Sequence, residues 1–362
     1  PTLGFGCMRL PLIEGTDKID EQEAIRIIRL GIDSGVNYLD TAFFYHNGES
    51  ENLVGKALKD GYRKLAYLAT KLPLGNVNCE EDVERKVLKF IPLKESAQTW
   101  WFDGSSYWRV SVLIADSVTI DTVNPEYSYY AGKAFGNFQS MLSDIEETLG
   151  ETIPDFHNME LRERQLAEAV AADAVGRMAS EEVQAILAQM QEHMDDMTLA
   201  ERLHREGVLP KRICHCDTKV SNMLFDKSGQ VLCVIDLDTV MPSYIFSDYG
   251  DFLRTAANKV AEDSPELDKV EFDMDIFKAF TKGYIESASS FLTDVEKENL
   301  PYAVALFPFM QAVRFFTDYL NGDTYYKTAY PEHNLVRTRN QMALFRSVMA
   351  HKSEMGQFIK TL

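Results

Sequence analysis

Residues 211–239 read KRICHCDTKVSNMLFDKSGQVLCVIDLDT, and few folds can present this stretch. An apolar run (residues 212–216) leads to Asp217, and Asn222 follows five residues later. A predicted strand pair (223–225 with 231–235) then delivers Asp236. That order of groups suits phosphoryl transfer. One carboxylate orients the attacking hydroxyl, while an amide oxygen and a second carboxylate are hard donors suited to Mg²⁺. Taken as bare pattern, the same residues also fit a hairpin whose polar groups only cap turns.

HCDTKVSNMLFD, VIDLDTVMP, DYGDFLRTAAN and DYLNGDTYYKTAYPEHNLVRTRNQ carry a resemblance. They are similar to the aminoglycoside phosphotransferase and choline kinase superfamily, and within it to N-acetylhexosamine 1-kinases, over about residues 86–346. The resemblance implies an α+β, protein-kinase-like phosphotransferase fold with a large helical C-terminal lobe. It implies ATP and Mg²⁺ as cofactors and a small hydroxylated acceptor, the anomeric hydroxyl of an N-acetylhexosamine. Asp217 would then act on the acceptor proton, and Asn222 and Asp236 would hold the metal. Lys219 would face the transferred phosphoryl group, with Asp238 and His215 as supporting residues. Arg314 with Tyr325 or Tyr326 would face the sugar, and the hinge Leu113–Ile114–Ala115 would face adenine.

The first third of the chain reads differently. Asp20 and Glu23 form a capping-box variant before an apolar stripe of Ala24, Ile25, Ile28 and Ile32. Gly35 ends that helix, and strands are expected at 36–42 and 66–72, with a helix capped by Ser50 between them. GFGCMRLP, DSGVNYLDTAFFYHNGESE and LATKLP resemble the start of an aldo-keto reductase barrel. That likeness puts Asp40, Tyr45 and Lys71 on three members of the family's catalytic tetrad. No strand-borne His follows Lys71, and fewer than three of the eight βα units of such a barrel are visible. These three residues therefore read as vestigial, in a partial (β/α)8-barrel fragment.

The expected division is a reductase-like segment (1–85), a remnant of the kinase-like small lobe with its hinge (86–116), and the C-terminal lobe (117–362). The switch between the two families falls at about 77–92. No Gly-rich hairpin and strand Lys of the kinase type precede residue 86. Two functions follow as expectations: an ATP-dependent sugar phosphotransferase, or a catalytically incompetent chimera of a reductase fragment and a sugar-kinase lobe. Strands at 99–102 and 107–114 flank Asp103-Gly104, with Trp100, Trp101 and Trp108 expected to pack there.

Farther on, a helix is expected at 129–149, two helices across 159–205, and a helix that Asp248 and Asp251 cap while bracing the neighbouring loops. His157 reads as structural, and Arg337 and Arg339 as solvated or ion-paired. The net charge of −19 argues against nucleic acid and anionic membrane as partners. It does not exclude the small sugar and ATP that the resemblance implies, because a local site can oppose the global charge. Five cysteines without zinc spacing read as reduced thiols of a cytoplasmic protein, and no apolar run reaches the ~20 residues of a membrane span. The chain begins at Pro1 rather than Met, as a fragment or a processed chain would.

Overall fold

The computed structural model describes residues 5–13, 15–16, 18–41, 45–69, 88–94, 96–120, 122–145 and 149–362. Lys71, Cys79, the end of the strand expected at 66–72 and most of the join at 77–92 lie outside the described residues. The chain forms two compact units, Pro1–Val83 and Glu84–Leu362.

The first unit contains β1 (Phe5–Gly6), α1 (Glu21–Asp33), β2 (Tyr38–Asp40), α2 (Glu49–Ala57) and β3 (Tyr67–Ala69). The strands are parallel in the order β1–β2–β3, with Phe5 opposite Leu39 and Leu39 opposite Leu68. Asp20 caps α1 by accepting the Glu23 N–H at 3.1 Å. The apolar stripe buries Ala24, Ile28 and Ile32 against Leu39, Leu53 and Val54, a core within the unit. Ser50 does not cap α2. It lies inside the helix, fully buried, and its hydroxyl donates to the Cys7 carbonyl at 3.1 Å and bonds Thr41 at 2.9 Å.

The second unit opens with a short hairpin, β4 (Trp101–Phe102) and β5 (Tyr107–Trp108), shorter than expected. Asp103 shapes its turn by accepting the Ser105 and Ser106 N–H groups at 2.8 Å each. The expected packing of the tryptophans is not observed: Trp100, Trp101 and Trp108 are 43%, 53% and 58% exposed. Two strands of two residues offer no second layer that could cover indole rings.

Helices follow: α3 (Pro125–Met141), α4 (Met159–Ala172), α5 (Glu181–Met197) and α6 (Leu199–Arg205). Asn124 caps α3 and Pro125 takes its first position, so α3 begins before the expected residue 129. The polar stretch 159–205 makes three helices rather than two, because Asp173 in the left-handed region ends α4 and Thr198 separates α5 from α6.

β6 (Arg212–Cys214) pairs antiparallel with β9 (Met241–Ser243), and β7 (Met223–Phe225) with β8 (Val231–Val234). The remaining helices are α7 (Phe246–Ala256), α8 (Met274–Ala288), α9 (Asp294–Glu298), α10 (Leu300–Leu320) and α11 (His333–Ile359). α10 is apolar around most of its circumference, with Gln311, Arg314 and Thr317 forming one polar strip, as befits a central helix. It packs on α4, α7 and α11, and most of its residues are buried.

α3 and α8 cross at backbone distance. A methyl group on Gly132 would land on the Phe280 carbonyl oxygen, and one on Gly283 on the Tyr129 carbonyl oxygen. Among the described residues, no helix is long and apolar enough to cross a membrane.

Candidate active site

β6 carries the chain into a loop whose backbone is held from behind by α7. The fully buried Asp248 carboxylate accepts the N–H groups of His215 at 2.9 Å and Cys216 at 2.7 Å, and the Gln139 amide at 2.8 Å. Asp251 accepts the Thr218 N–H at 3.2 Å, and the Thr218 hydroxyl donates to the Asp248 carbonyl at 2.8 Å. Asp248 and Asp251 thus brace the loop as expected, and only the expectation that they also cap this helix is corrected. Both lie inside α7, which has no side-chain cap, and their acceptors are spent on loop N–H groups that a tight turn leaves unpaired. Burial raises the pKa of both carboxyls, against the lowering pull of His215 on Asp248 and of Arg254 on Asp251.

Cys216 adopts a left-handed conformation (φ 64°), which turns the chain out of β6 immediately before Asp217. The His215 ring donates from Nε2 to the Ile235 carbonyl at 2.9 Å, which leaves Nδ1 to accept the Asp217 N–H at 3.3 Å. The edge contacts of Phe135 and Phe138, each 5.9 Å away between ring centroids, fix the imidazole plane. The ring ties the loop to the end of β8 and is itself fully buried.

The Asp217 carboxylate faces two donors. Lys219 Nζ stands 3.0 Å from Oδ1, and Asn222 Nδ2 donates to Oδ2 at 3.0 Å and to the Asp217 carbonyl at 2.8 Å. Both amide hydrogens of Asn222 are thus used, and its side-chain oxygen remains as an acceptor. Past the β7–β8 hairpin the Ile235 N–H donates to the Asn222 carbonyl at 2.9 Å, and Asp236 is the next residue after that bond. Asp236 is exposed and left-handed (φ 60°, ψ 55°), and it opens a 3₁₀ turn, Leu237–Thr239. Thr239 closes that turn onto the loop by donating to the His215 carbonyl at 2.7 Å.

The Asn222 amide oxygen and the exposed Asp236 carboxylate are oxygen donors of the kind Mg²⁺ takes. The donor set therefore fits a magnesium ion. Among the described residues there is no group of three or more His, Cys, Asp or Glu side chains that could hold a metal. The four described cysteines are buried, and burial pushes the Cys214 and Cys216 thiols well above their usual range.

A cavity of about 500 Å³ opens beside the loop. Asp217, Lys219, Arg314 and Tyr326 line it, while Asn222, Asp236, Tyr325 and residues 113–115 lie outside its lining. Arg314 is centred 5.3 Å over the Phe156 ring and 5.7 Å over Tyr326. Tyr326 packs on Phe315 at 4.7 Å, whereas Tyr325 is 73% exposed. The buried Asp318 carboxylate shapes the loop that carries both tyrosines, accepting the N–H groups of Thr324, Tyr325 and Tyr326 at 2.8–3.0 Å.

In the expected hinge, Leu113 is 87% exposed and Ile114 is buried, with its carbonyl taken by the Ser117 hydroxyl at 2.7 Å. Val118 bonds Phe225 in both directions, which anchors the segment to β7. In the first unit, β2 ends at Asp40 and a 3₁₀ turn begins at Tyr45.

Residues singled out by nothing in their local spacing also reach this region. Arg337, expected to be solvated or ion-paired, lines the cavity without a carboxylate partner among the described residues, whereas Arg339 pairs with Glu182 at 2.6 Å as expected. His157 lines the cavity too, stacked on Phe156 at 4.4 Å. Burial and the charges of Arg314, Arg162 and Arg254 hold its pKa well below the usual histidine value. Arg109, which follows β5, pairs with Asp238 and stacks over Phe90 at 4.8 Å.

Two family models match the chain: residues 101–280 match the phosphotransferase enzyme family, and residues 2–96 match the aldo/keto reductase family. The chain is 39% identical over 74 residues to probable aldo-keto reductase 1 of Glycine max, covering 20% of this chain and 21% of that protein. It is 46% identical over 56 residues to aldo-keto reductase YhdN of Bacillus subtilis (strain 168), covering 15% and 17%. The chain thus spans about a fifth of the length of these curated relatives. Among solved structures, an aminoglycoside phosphotransferase from Alicyclobacillus acidocaldarius subsp. acidocaldarius DSM 446 superposes with a TM-score of 0.56 at 15% identity. That match covers 78% of this chain and 80% of the other, a likeness of fold.

Proposed function

We propose that this chain, whose residues 101–280 match the phosphotransferase enzyme family and residues 2–96 the aldo/keto reductase family, transfers the γ-phosphoryl group of ATP to an alcohol. The acceptor in this reading is the anomeric hydroxyl of an N-acetylhexosamine. The observation that carries the reading is the Asp217 carboxylate, held by Asn222 and faced by Lys219 at the wall of a cavity large enough for a monosaccharide.

The Asp217 carboxylate takes the proton of the acceptor hydroxyl as its oxygen bonds to the γ-phosphorus and the bond to the ADP oxygen breaks. Lys219 offsets negative charge on the moving group. Asn222, through its free amide oxygen, and Asp236 would hold Mg²⁺, which would supply charge neutralisation at the phosphate oxygens. Arg314 and Tyr326, which line the cavity, orient the sugar, with the exposed Tyr325 next to Tyr326 in the same loop. Leu113, Ile114 and Ala115 bracket the adenine. Asp40, Tyr45 and Lys71 take no part.

The test is Asp217→Asn assayed with ATP, Mg²⁺ and N-acetylhexosamines. Losing the base should lower kcat by about 10²–10⁴-fold with the fold intact. Full activity in this variant would remove Asp217 from the mechanism.

The exposed tryptophans of the β4–β5 hairpin favour a second reading, a catalytically incompetent chimera whose small lobe is incomplete. Calorimetry with ATP·Mg²⁺ separates the two. Micromolar binding supports transfer, and the absence of binding supports the chimera.

A further inference from the structure

The cavity beside Asp217 is positive in a chain of net charge −19: its lining cations outnumber its carboxylates five to three. Every one of those carboxylates already has a cation. Asp217 faces Lys219 at 3.0 Å, and Arg254 serves both Asp251 at 3.2 Å and Glu262 at 2.7 Å. Arg314, Lys327 and Arg337 remain, and none of them meets a carboxylate among the described residues.

Their other contacts are weak substitutes. Arg314 donates to the Gln311 side-chain oxygen at 3.1 Å and lies between two aromatic rings. Arg337 donates to the Lys327 carbonyl at 3.1 Å and the Asn334 side chain at 3.3 Å. Its Nε is buried with no partner, and Phe315 lies 5.3 Å beneath it. Arg162, also without a carboxylate, has its pKa pushed down by burial first and by the neighbouring Arg314 charge second, so guanidinium groups crowd one another here.

Half-buried guanidinium groups are ordinarily paired, and their planar donor forks match carboxylate and phosphate oxygens. Aromatic walls that exclude water concentrate the field of the unpaired cations. We propose that the acceptor is itself an anion: a hydroxyl compound of amino-sugar size bearing a carboxylate or phosphate, which Arg314, Lys327 and Arg337 hold away from Asp217. This rests on the reading of the cavity as the acceptor site of a phosphotransferase. The transfer step is unchanged: the acceptor oxygen bonds phosphorus, ADP leaves, Asp217 takes the proton, and the held oxyanion does not react.

The experiment is a steady-state assay with ATP, Mg²⁺ and three acceptors: N-acetylglucosamine, N-acetylmuramic acid for the carboxylate, and N-acetylglucosamine 6-phosphate for the phosphate. One of the two anionic sugars should exceed the neutral one by about tenfold in kcat/KM, the advantage shrinking as salt is raised. Whichever anionic sugar leads identifies the oxyanion. Arg337→Gln should reduce the anionic-to-neutral ratio by about tenfold, an internal comparison that does not depend on total activity. Equal or better use of N-acetylglucosamine overturns the proposal and leaves the phosphotransferase reading standing. If no acceptor is phosphorylated, that reading fails, and calorimetry of the same three sugars without nucleotide decides the anion site. Tighter binding of an anionic sugar by about tenfold sustains it, and no preference overturns it.

Discussion

The Asp248 carboxylate accepts the backbone N–H of His215 at 2.9 Å, and its other oxygen takes the next N–H, that of Cys216, at 2.7 Å. A buried carboxylate is thereby used as a template for a loop conformation. Cys216 is left-handed, and the turn toward Asp217 depends on both N–H groups finding an acceptor. Replacing Asp248 with Ala should lower unfolding free energy by more than about 2 kcal/mol, since each buried N–H left unsatisfied costs about 1–3 kcal/mol. Urea unfolding and kcat measured on the same variant check this. A stable Asp248→Ala protein with normal turnover would show that the loop holds itself.

Glu296 and Arg212 form a pair that is nearly closed to solvent, with two contacts at 2.6 and 2.9 Å and the glutamate fully buried. The same carboxylate completes a capping box with Thr293 at the start of α9. Glu296→Ala strands the guanidinium beside Phe291 and removes the cap together, so it should cost about 3–5 kcal/mol. The denaturant midpoint reads this directly. A shift under about 1 kcal/mol would mean that Arg212 finds water, as exposed partners do.

Gly132 and Gly283 set the distance between α3 and α8. Gly132→Ala should destabilise the chain by about 1–3 kcal/mol, because the obstacle is the rigid backbone of Phe280 and Tyr284 rather than a side chain that can rotate away. Gly55→Ala is the control: nothing lies within 4 Å of its added carbon, and helix propensity favours alanine there. Thermal unfolding of the pair should move in opposite directions.

Burial raises the pKa of Glu201 above its ordinary 4.5, against lowering by the Met159 N–H and by Arg205 and with a further rise from Glu160. A carboxyl raised in the folded state binds its proton more tightly there than in the unfolded chain. Its contribution to stability is therefore full below pH 4.5 and is lost as pH rises through the raised value. Glu201→Gln keeps a neutral acceptor for the Met159 N–H, which the native carboxylate takes at 2.6 Å. The variant should show a flatter dependence of Tm on pH from about 4 to 7 than the native chain. Parallel profiles would place the titrating group elsewhere.

Local pattern reaches only as far as residues that are neighbours in sequence. The Asp20–Glu23 cap, the apolar stripe of α1, the β7–β8 hairpin and the run from β6 to Asp217 were legible because each depends on spacings of a few residues. The parallel pairing of β2 with β3 was legible because a helix separates these two strands, whereas β1, two residues long, was not. The tryptophans around Asp103 were misread as core, because an aromatic cluster does not reveal whether a second layer exists to cover it.

What the amino-acid order determined on its own was the identity and sequence of the chemical groups: an Asp, an Asn five residues later, a hairpin, and a second Asp. Tertiary structure decided which charges are spent and which are left over. Asp248 and Asp251 resembled helix caps until α7 placed them behind the loop, and Arg337 and Arg339, two residues apart on one helix, have different fates. The physical reason is that pairing depends on distance through space. Glu296 lies 84 residues from Arg212, and Glu182 lies 157 from Arg339, separations at which no periodicity in the sequence carries information.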